Sequence, residues 1–237
     1  MSSIEVYKSK LGKGLRKFFE NYEPSMKELI NKLDTDGFLL RNFTEERVTR
    51  LQHLTHSSNM SLKLSNDFGS IFDPKNKEST KEKLNHLKIA FNNESDFRIG
   101  EHYHSILTNT YITFLERLKI YFLFFINWNK LGKKHKDIRG IGNALDVLKQ
   151  KYPTNKYLLY FNSGARNSLA HYTFFWEHGN GGKIKMCSEI FDTNPKEMSL
   201  VEFMMEINEI QVLTEGFYIL LRDKYGLPEI ELEMFER

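Results

Sequence analysis

Residues 101–129 read EHYHSILTNTYITFLERLKIYFLFFINWN, and their spacing decides the fold. Leu107, Tyr111, Phe114, Leu118, Tyr121 and Phe125 recur at three- and four-residue intervals, the period of one helix face. Toward the end of the stretch apolar residues surround the helix, which predicts burial inside a core. The most apolar run, Ile120 to Trp128, follows Glu116, Arg117 and Lys119 and falls far short of the roughly 20 residues needed to cross a bilayer.

Upstream, long helix-period stretches dominate and Pro and Gly are scarce, so the class is mainly α. The spacing predicts a basic amphipathic helix over about Ile4–Tyr22, ending before Pro24, and a second over about Ser25–Leu33, stopping near Asp36-Gly37. A third spans about Thr44–Asn59, with Thr44 as its start signal. Phe68–Lys77, with Asp73-Pro74 and Asn76, reads as a loop, and Ser79–Phe91 as a further helix. The polar link Asn92–Asp96 divides the chain into an N-terminal helical extension, 1–95, and a domain over 96–237.

Downstream, the basic loop Lys130–Arg139 ends the long helix, a helix covers about Asn143–Lys151, and another runs from about Thr154 to Tyr172 after Pro153. Thr173–Trp176 and Lys183–Cys187 flank Gly179-Asn180-Gly181-Gly182 and read as a short β-hairpin. These glycines do not suit a phosphate loop, which requires a strand-to-helix junction that the pattern does not offer. The last helix runs from Ser199, an N-cap residue, to Tyr225, with Gly226 as its stop and Pro228 beyond.

Composition excludes several classes. With 40% hydrophobic and 14% aromatic residues the chain has material for a large, ring-rich core, and wholesale disorder does not fit. A net charge of +3 permits a polyanionic partner without demanding one. Cys187 is the single cysteine, so neither an intramolecular disulfide nor a cysteine-based zinc site is available. The N-terminus Met1-Ser2-Ser3-Ile4-Glu5 lacks the apolar core of a signal peptide, and the expectation is a soluble, cytoplasmic protein without membrane contact.

Chemistry concentrates in the expected helix 154–172. On a wheel of about 100° per residue, Leu158, Phe161, Ala165, Leu169 and Tyr172 share one side. Ser163, Asn167 and His171 stack at four-residue intervals on the other, with Arg166 beside them and the small Gly164 and Ala170 among them. Arginine offers a permanently charged fork for phosphate, and histidine changes charge near neutral pH and so serves as general acid or base. Asn167, one turn before His171, can fix the imidazole or bond a phosphate oxygen. A helix face bearing Arg, Asn and His is also commonly just a solvated surface, and spacing alone does not separate the two readings.

Arg166-Asn167-Ser168-Leu169-Ala170-His171 resembles the Arg-(four to six residues)-His signature of HEPN (higher eukaryote and prokaryote nucleotide-binding) domains, in which a polar residue, often Asn, follows the Arg. Long helices before the motif, a short hairpin after it and a terminal helix agree with that resemblance, which covers about Asp96–Tyr225. It implies a helical bundle that homodimerises so that two motifs face one cleft. It also implies a metal-independent endoribonuclease without cofactor, of the kind found in toxin, abortive-infection and other defence systems, where an antitoxin or activator is a typical partner. Carried over, Arg166 would stabilise the scissile phosphate of RNA and His171 would act as general base or acid during attack by the ribose 2′-OH. Asn167 would orient His171 or the phosphate, leaving a cyclic phosphate and a 5′-OH.

Other residues carry two readings each. Glu116 is either a partner that positions Arg166 or a solvent-facing helix position, and Ser163 joins the polar stripe behind the motif. Tyr172 could stack on a base but falls on the core side of the wheel. Glu101-His102-Tyr103-His104 and Glu177-His178 look metal-like, yet histidines two apart do not share a helix face and no spaced third ligand accompanies them. Asp73 lacks the alternating acidic ligands of a calcium loop. Two basic clusters offer substrate contacts: Lys8, Lys10, Lys13, Arg16 and Lys17 on the first helix, and Lys130, Lys133, Lys134, Lys136 and Arg139 in the loop, which lies inside the HEPN-like unit. Two alternatives stand beside the ribonuclease: a catalytically silent HEPN module that binds nucleotide, RNA or a partner protein, and a protein whose N-terminal helices carry the function while the motif is only a dimer seam.

Overall fold

Two long antagonists of water, one central and one C-terminal helix, organise the structure, a computed structural model that describes residues 2–70, 96–161, 174–177, 183–187 and 196–227. Within these, side chains are described except at 60–70, 96–103, 175–177 and 200. The helices are α1 (Ser3–Lys10), α2 (Lys13–Thr35), α3 (Glu45–Ser70), α4 (Asp96–Phe125), α5 (Ile141–Lys151), α6 (Lys156–Tyr160) and α7 (Leu200–Tyr225). Two 3₁₀ turns, Trp128–Leu131 and His135–Asp137, follow α4, and three short strands, β1 (Phe174–Glu177), β2 (Lys183–Met186) and β3 (Lys196–Ser199), precede α7.

The periodic face of α4 is the centre of the molecule. Tyr111, Phe114, Leu118, Tyr121 and Phe125 are all buried, and α4 packs against both α3 and α7. Helix α7 answers with rings of its own: Tyr111 stacks on Phe203 at 5.4 Å between centroids, Tyr121 on Tyr218 at 4.8 Å, and Phe122 meets Phe217 edge-on at 5.4 Å. Such pairs add about 0.5–1.5 kcal/mol each beyond the area they bury. Helices α1 and α2 also rest on α7, so the N-terminal residues contribute to the same hydrophobic core as the C-terminal ones.

Several boundaries differ from the sequence expectations. One helix over Ile4–Tyr22 is instead two, broken at Leu11-Gly12, and the second continues through Pro24 to Thr35. Proline removes the hydrogen bond to the carbonyl four residues earlier, that of Glu20; Glu20 and Pro24 are both exposed, so water can satisfy it. Helix α3 begins as expected, the Thr44 hydroxyl accepting from the Arg47 amide at 3.3 Å, but runs on to Ser70, so Phe68, Gly69 and Ser70 are helical rather than loop. The expected loop residues 71–77 and the helix 79–91 lie outside the described residues. Helix α4 begins at Asp96 and ends at Phe125, earlier than Asn129, because Leu39 and Ile126 form an antiparallel bridge that pulls the chain out of the helix.

The expected unbroken helix 154–172 is overturned at Phe161. Helix α6 is capped by Asn155, whose Oδ1 accepts from the Leu158 amide at 3.1 Å while its Nδ2 donates to the Ser25 carbonyl at 2.9 Å. The chain leaves the helix at Phe161 with extended angles, φ −76° and ψ 121°, and the buried rings of Tyr157 and Phe161 meet edge-on at 5.1 Å. A wheel that carries Leu158 and Phe161 into register with Ala165 therefore does not hold across this break.

The hairpin is present, with Phe174 opposite Met186 and Glu177 opposite Lys183. A third strand, absent from the sequence reading, extends it: β3 pairs antiparallel with β2, Lys183 facing Ser199. Its residues Lys196-Glu197-Met198-Ser199 carry no β-rich signal; pairing to β2 decides the conformation. Ser199 then caps α7, its hydroxyl accepting from the Glu202 amide at 3.2 Å, and Gly226 ends it at φ 61°.

Candidate functional site

The motif residues Ser163, Arg166, Asn167 and His171 lie outside the described residues, as does Tyr172. What the structure does describe is their framework: α6 and Phe161 before the segment, β1 after it, and Glu116 on α4. Glu116 is half-buried and forms an ion pair with Lys119, one turn further along α4. Among the described residues no three His, Cys, Asp or Glu side chains converge as a metal site would need. His104 is buried on α4, while Glu101, His102, Glu177 and His178 have no described side chains.

The two basic clusters behave differently. On α1, Lys8 is buried, with its ammonium 2.5 Å from Glu5 and 3.1 Å from Glu23, and those hydrogen bonds raise its pKa; it is a structural cation. Arg16 pairs with Glu20 at 3.0 Å. In the loop after α4, Lys130 donates to the Gly37 carbonyl at 3.0 Å and thereby ties the loop to the α2–α3 connection. Lys133, Lys134, Lys136 and Arg139 are exposed, and among the described residues none has a carboxylate within 4.0 Å. Asp137, the one acid of the loop, accepts from the Lys134 backbone amide at 3.1 Å. Beside them, the exposed His135 has its pKa pulled down by desolvation and by the charge of Arg47.

Sequence reasoning missed a charged network in the interior. Arg117, one residue after Glu116, is 1% exposed, as is Glu215 on α7. The Arg117 Nη2 donates to Ser58 Oγ at 2.7 Å and to Asn59 Oδ1 at 2.5 Å on α3, and Nη1 stands 3.8 Å from Glu215 Oε1. Glu215 in turn accepts from Gln211 Nε2 at 3.1 Å and from the Tyr7 hydroxyl on α1 at 3.3 Å. One polar network thus joins α1, α3, α4 and α7. A signal existed: Arg117 falls on the helix face of Phe114, Leu118 and Tyr121, and a cation on a core face requires a buried partner.

Burial pushes the Glu215 carboxyl up to about 7 against the opposing pull of Arg117, Gln211 and Tyr7. Between the unfolded value, near 4.5, and about 7, the folded state keeps a proton that the unfolded chain releases, so stability falls as pH rises through that window. The carboxyls of Glu23 and Asp34 are held low by lysines and act only below their ordinary range, outside this window. Denaturation across pH should therefore show the wild type losing of the order of 3 kcal/mol relative to Glu215→Gln between about pH 5 and pH 8. Parallel curves for the two proteins would refute the assignment of the proton to Glu215.

Among the described residues, no helix is long and apolar enough to cross a membrane. Set against protein-family models, curated proteins and solved structures, the chain finds no match in any of the three comparisons.

Proposed function

We propose that the chain is a metal-independent endoribonuclease of the HEPN type, a homodimer whose two motif segments face a common cleft, acting in a toxin or anti-phage defence system. The observation that carries this reading is the sextet Arg166-Asn167-Ser168-Leu169-Ala170-His171 standing between a mainly helical core and a small antiparallel sheet that leads into a closing helix. That order of elements around that sextet is the arrangement the resemblance implies.

In this reading Arg166 neutralises the charge that grows on the scissile phosphate, and its planar fork suits two phosphate oxygens at once. His171 takes the proton from the attacking 2′-OH or returns one to the departing 5′-oxygen, as a group that changes charge near pH 7 can. Asn167 orients the imidazole or bonds the phosphate, Ser163 extends the polar stripe behind them, and Glu116 positions Arg166. The products are a 2′,3′-cyclic phosphate and a 5′-OH end.

The test is incubation of the purified protein with mixed RNA in EDTA beside the Arg166→Ala, His171→Ala double variant. Cleavage by the wild type alone, with cyclic-phosphate ends, is the expected result. No cleavage by either protein, with equal RNA binding, would turn the assignment to a catalytically silent binding module or to an enzyme that awaits an activator.

A further inference from the structure

We propose that the basic end of the bundle, centred on Lys133, Lys134, Lys136 and Arg139, is a docking surface for the phosphodiester backbone of base-paired RNA. The choice of RNA rests on the ribonuclease reading; the surface itself rests on charge, exposure and rigidity.

Between Asn127 and Gly140 the chain carries five lysine or arginine residues against the single carboxylate of Asp137, on a protein whose whole net charge is only +3. An ordinary structural explanation covers some cations at this end. Helix C-termini gather negative partial charge, and basic side chains are commonly placed there to satisfy the last carbonyls. Arg47 does so for α4, donating to the Leu123 and Phe124 carbonyls at 3.3 and 2.7 Å, and Lys130 does so for the Gly37 carbonyl just past α2. The Arg47 bonds also lessen the negative partial charge at the end of α4 that would repel a phosphate chain. Lys133, Lys134, Lys136 and Arg139 make no such bond and have no carboxylate partner among the described residues, so capping leaves them unexplained.

Two acids at the end of α2 are occupied. Asp34 is shared by Lys224 at 2.9 Å and Arg41 at 3.4 Å, and Asp36 accepts from the Tyr152 hydroxyl at 2.9 Å. The loop that presents the cations is held at both ends. Trp128 is fully buried with its indole donating to the Phe122 carbonyl at 3.2 Å, the Lys133 amide returns to the Trp128 carbonyl at 3.0 Å, and Ile138 is buried. Charges on a fixed loop lose less freedom on binding than charges on a loose tail.

The aromatic rings decide between single-stranded and base-paired RNA. Proteins that hold single strands stack exposed rings on the bases. Here the rings at this end turn inward: Trp128 and Tyr152 are buried, Phe43 packs on Phe124 at 4.8 Å, and Phe38 lies beneath the Lys151 ammonium at 5.2 Å. Among the described residues no Phe, Tyr or Trp side chain is exposed, and the one exposed ring of the loop is the imidazole of His135. A surface with four cations and a single small imidazole, without the row of rings that successive unpaired bases need, reads the backbone, which is what a paired A-form helix offers.

The experiment uses the full chain carrying Arg166→Ala and His171→Ala, so that RNA survives the measurement. Anisotropy titrations would compare an RNA duplex of about 20 base pairs with a single strand of equal length over a range of salt. Tighter binding of the duplex is expected. Adding Lys133→Ser, Lys134→Ser, Lys136→Ser and Arg139→Ser should lower the slope of log K against log salt by about 3–4 without moving the thermal midpoint, since all four side chains are exposed. A control with Lys27→Ser and Lys156→Ser, exposed cations outside both basic clusters, should keep the slope. Preference for the single strand, no duplex binding, or an equal loss in the control would overturn the proposal. If the duplex binds as expected while the wild-type protein cleaves no RNA, the docking surface stands and the assignment turns to a silent binding module or to an enzyme that awaits an activator.

Discussion

Replacing Arg117 by methionine is expected to lower the unfolding free energy by about 3–5 kcal/mol at pH 8, the usual consequence of removing one member of a buried charged pair. For a chain of this size that is on the order of 10 °C in thermal midpoint. The loss has three parts. Half-buried Ser58 and buried Asn59 each lose a donor, Glu215 is left as a carboxylate without a cation, and a volume next to Phe114 must be refilled. The second part depends on pH. Near pH 5 the Glu215 carboxyl, whose pKa burial has already pushed up to about 7, is protonated and needs no counter-charge, so the variant should lose less there than at pH 8. The double variant Arg117→Met, Glu215→Leu should be more stable at pH 8 than Arg117→Met alone, because it removes the stranded charge. A loss under about 1 kcal/mol that does not change with pH would show that the network contributes little.

The position of Arg117 also shows how far letters alone can lead. The face of α4 was legible because its apolar residues recur at helix spacing for more than five turns, and Ser199 and Gly226 marked α7 because capping chemistry is local. Where a distant partner decides, the sequence is silent. Pro24 looks like a stop, yet α2 passes through it, while the actual break falls at Leu11-Gly12, where α1 turns to place Tyr7 on α7. The helix after Pro153 looks continuous, yet Phe161 leaves it to bury its ring beside Tyr157. Strand β3 has no signal of its own and exists through β2. The candidate site divides in the same way. The run of lysines after α4 stood out by composition, but only the fold separates Lys130, which closes the α2–α3 connection, from Lys133, Lys134, Lys136 and Arg139, which face water. The motif segment lies outside the described residues, and its reading rests on the resemblance rather than on spacing.

Substituting Gly216 by alanine should destabilise the protein even though alanine is the better helix former by about 0.8–1.0 kcal/mol. Gly216 sits inside α7 between Glu215 and Phe217, in ordinary helical conformation, so no backbone strain calls for glycine. Close approach does. A Cβ at this position would stand 2.1 Å from Phe19 Cε2 and 2.8 Å from Cζ, distances at which a ring carbon must move. Phe19 on α2 is fully buried and holds an edge-on contact with Tyr7 at 5.6 Å, so its ring cannot swing into solvent. The α2–α7 pair must separate, or Phe19 must leave its rotamer and disturb Tyr7, whose hydroxyl donates to Glu215. Overpacking of this kind costs about 1–3 kcal/mol and sometimes more, and the severity of this overlap places the net loss near 3 kcal/mol after the helix gain is subtracted. Phe19→Leu costs stability alone by opening a void, but combined with Gly216→Ala it should recover part of both losses, because the space vacated by the ring is the space the new methyl needs. Chemical denaturation of the two single variants and the double variant measures that coupling directly. If Gly216→Ala proves neutral or stabilising, or if the two losses simply add, the close seating of α7 against Phe19 is not what keeps glycine at 216, and helix propensity alone governs the site.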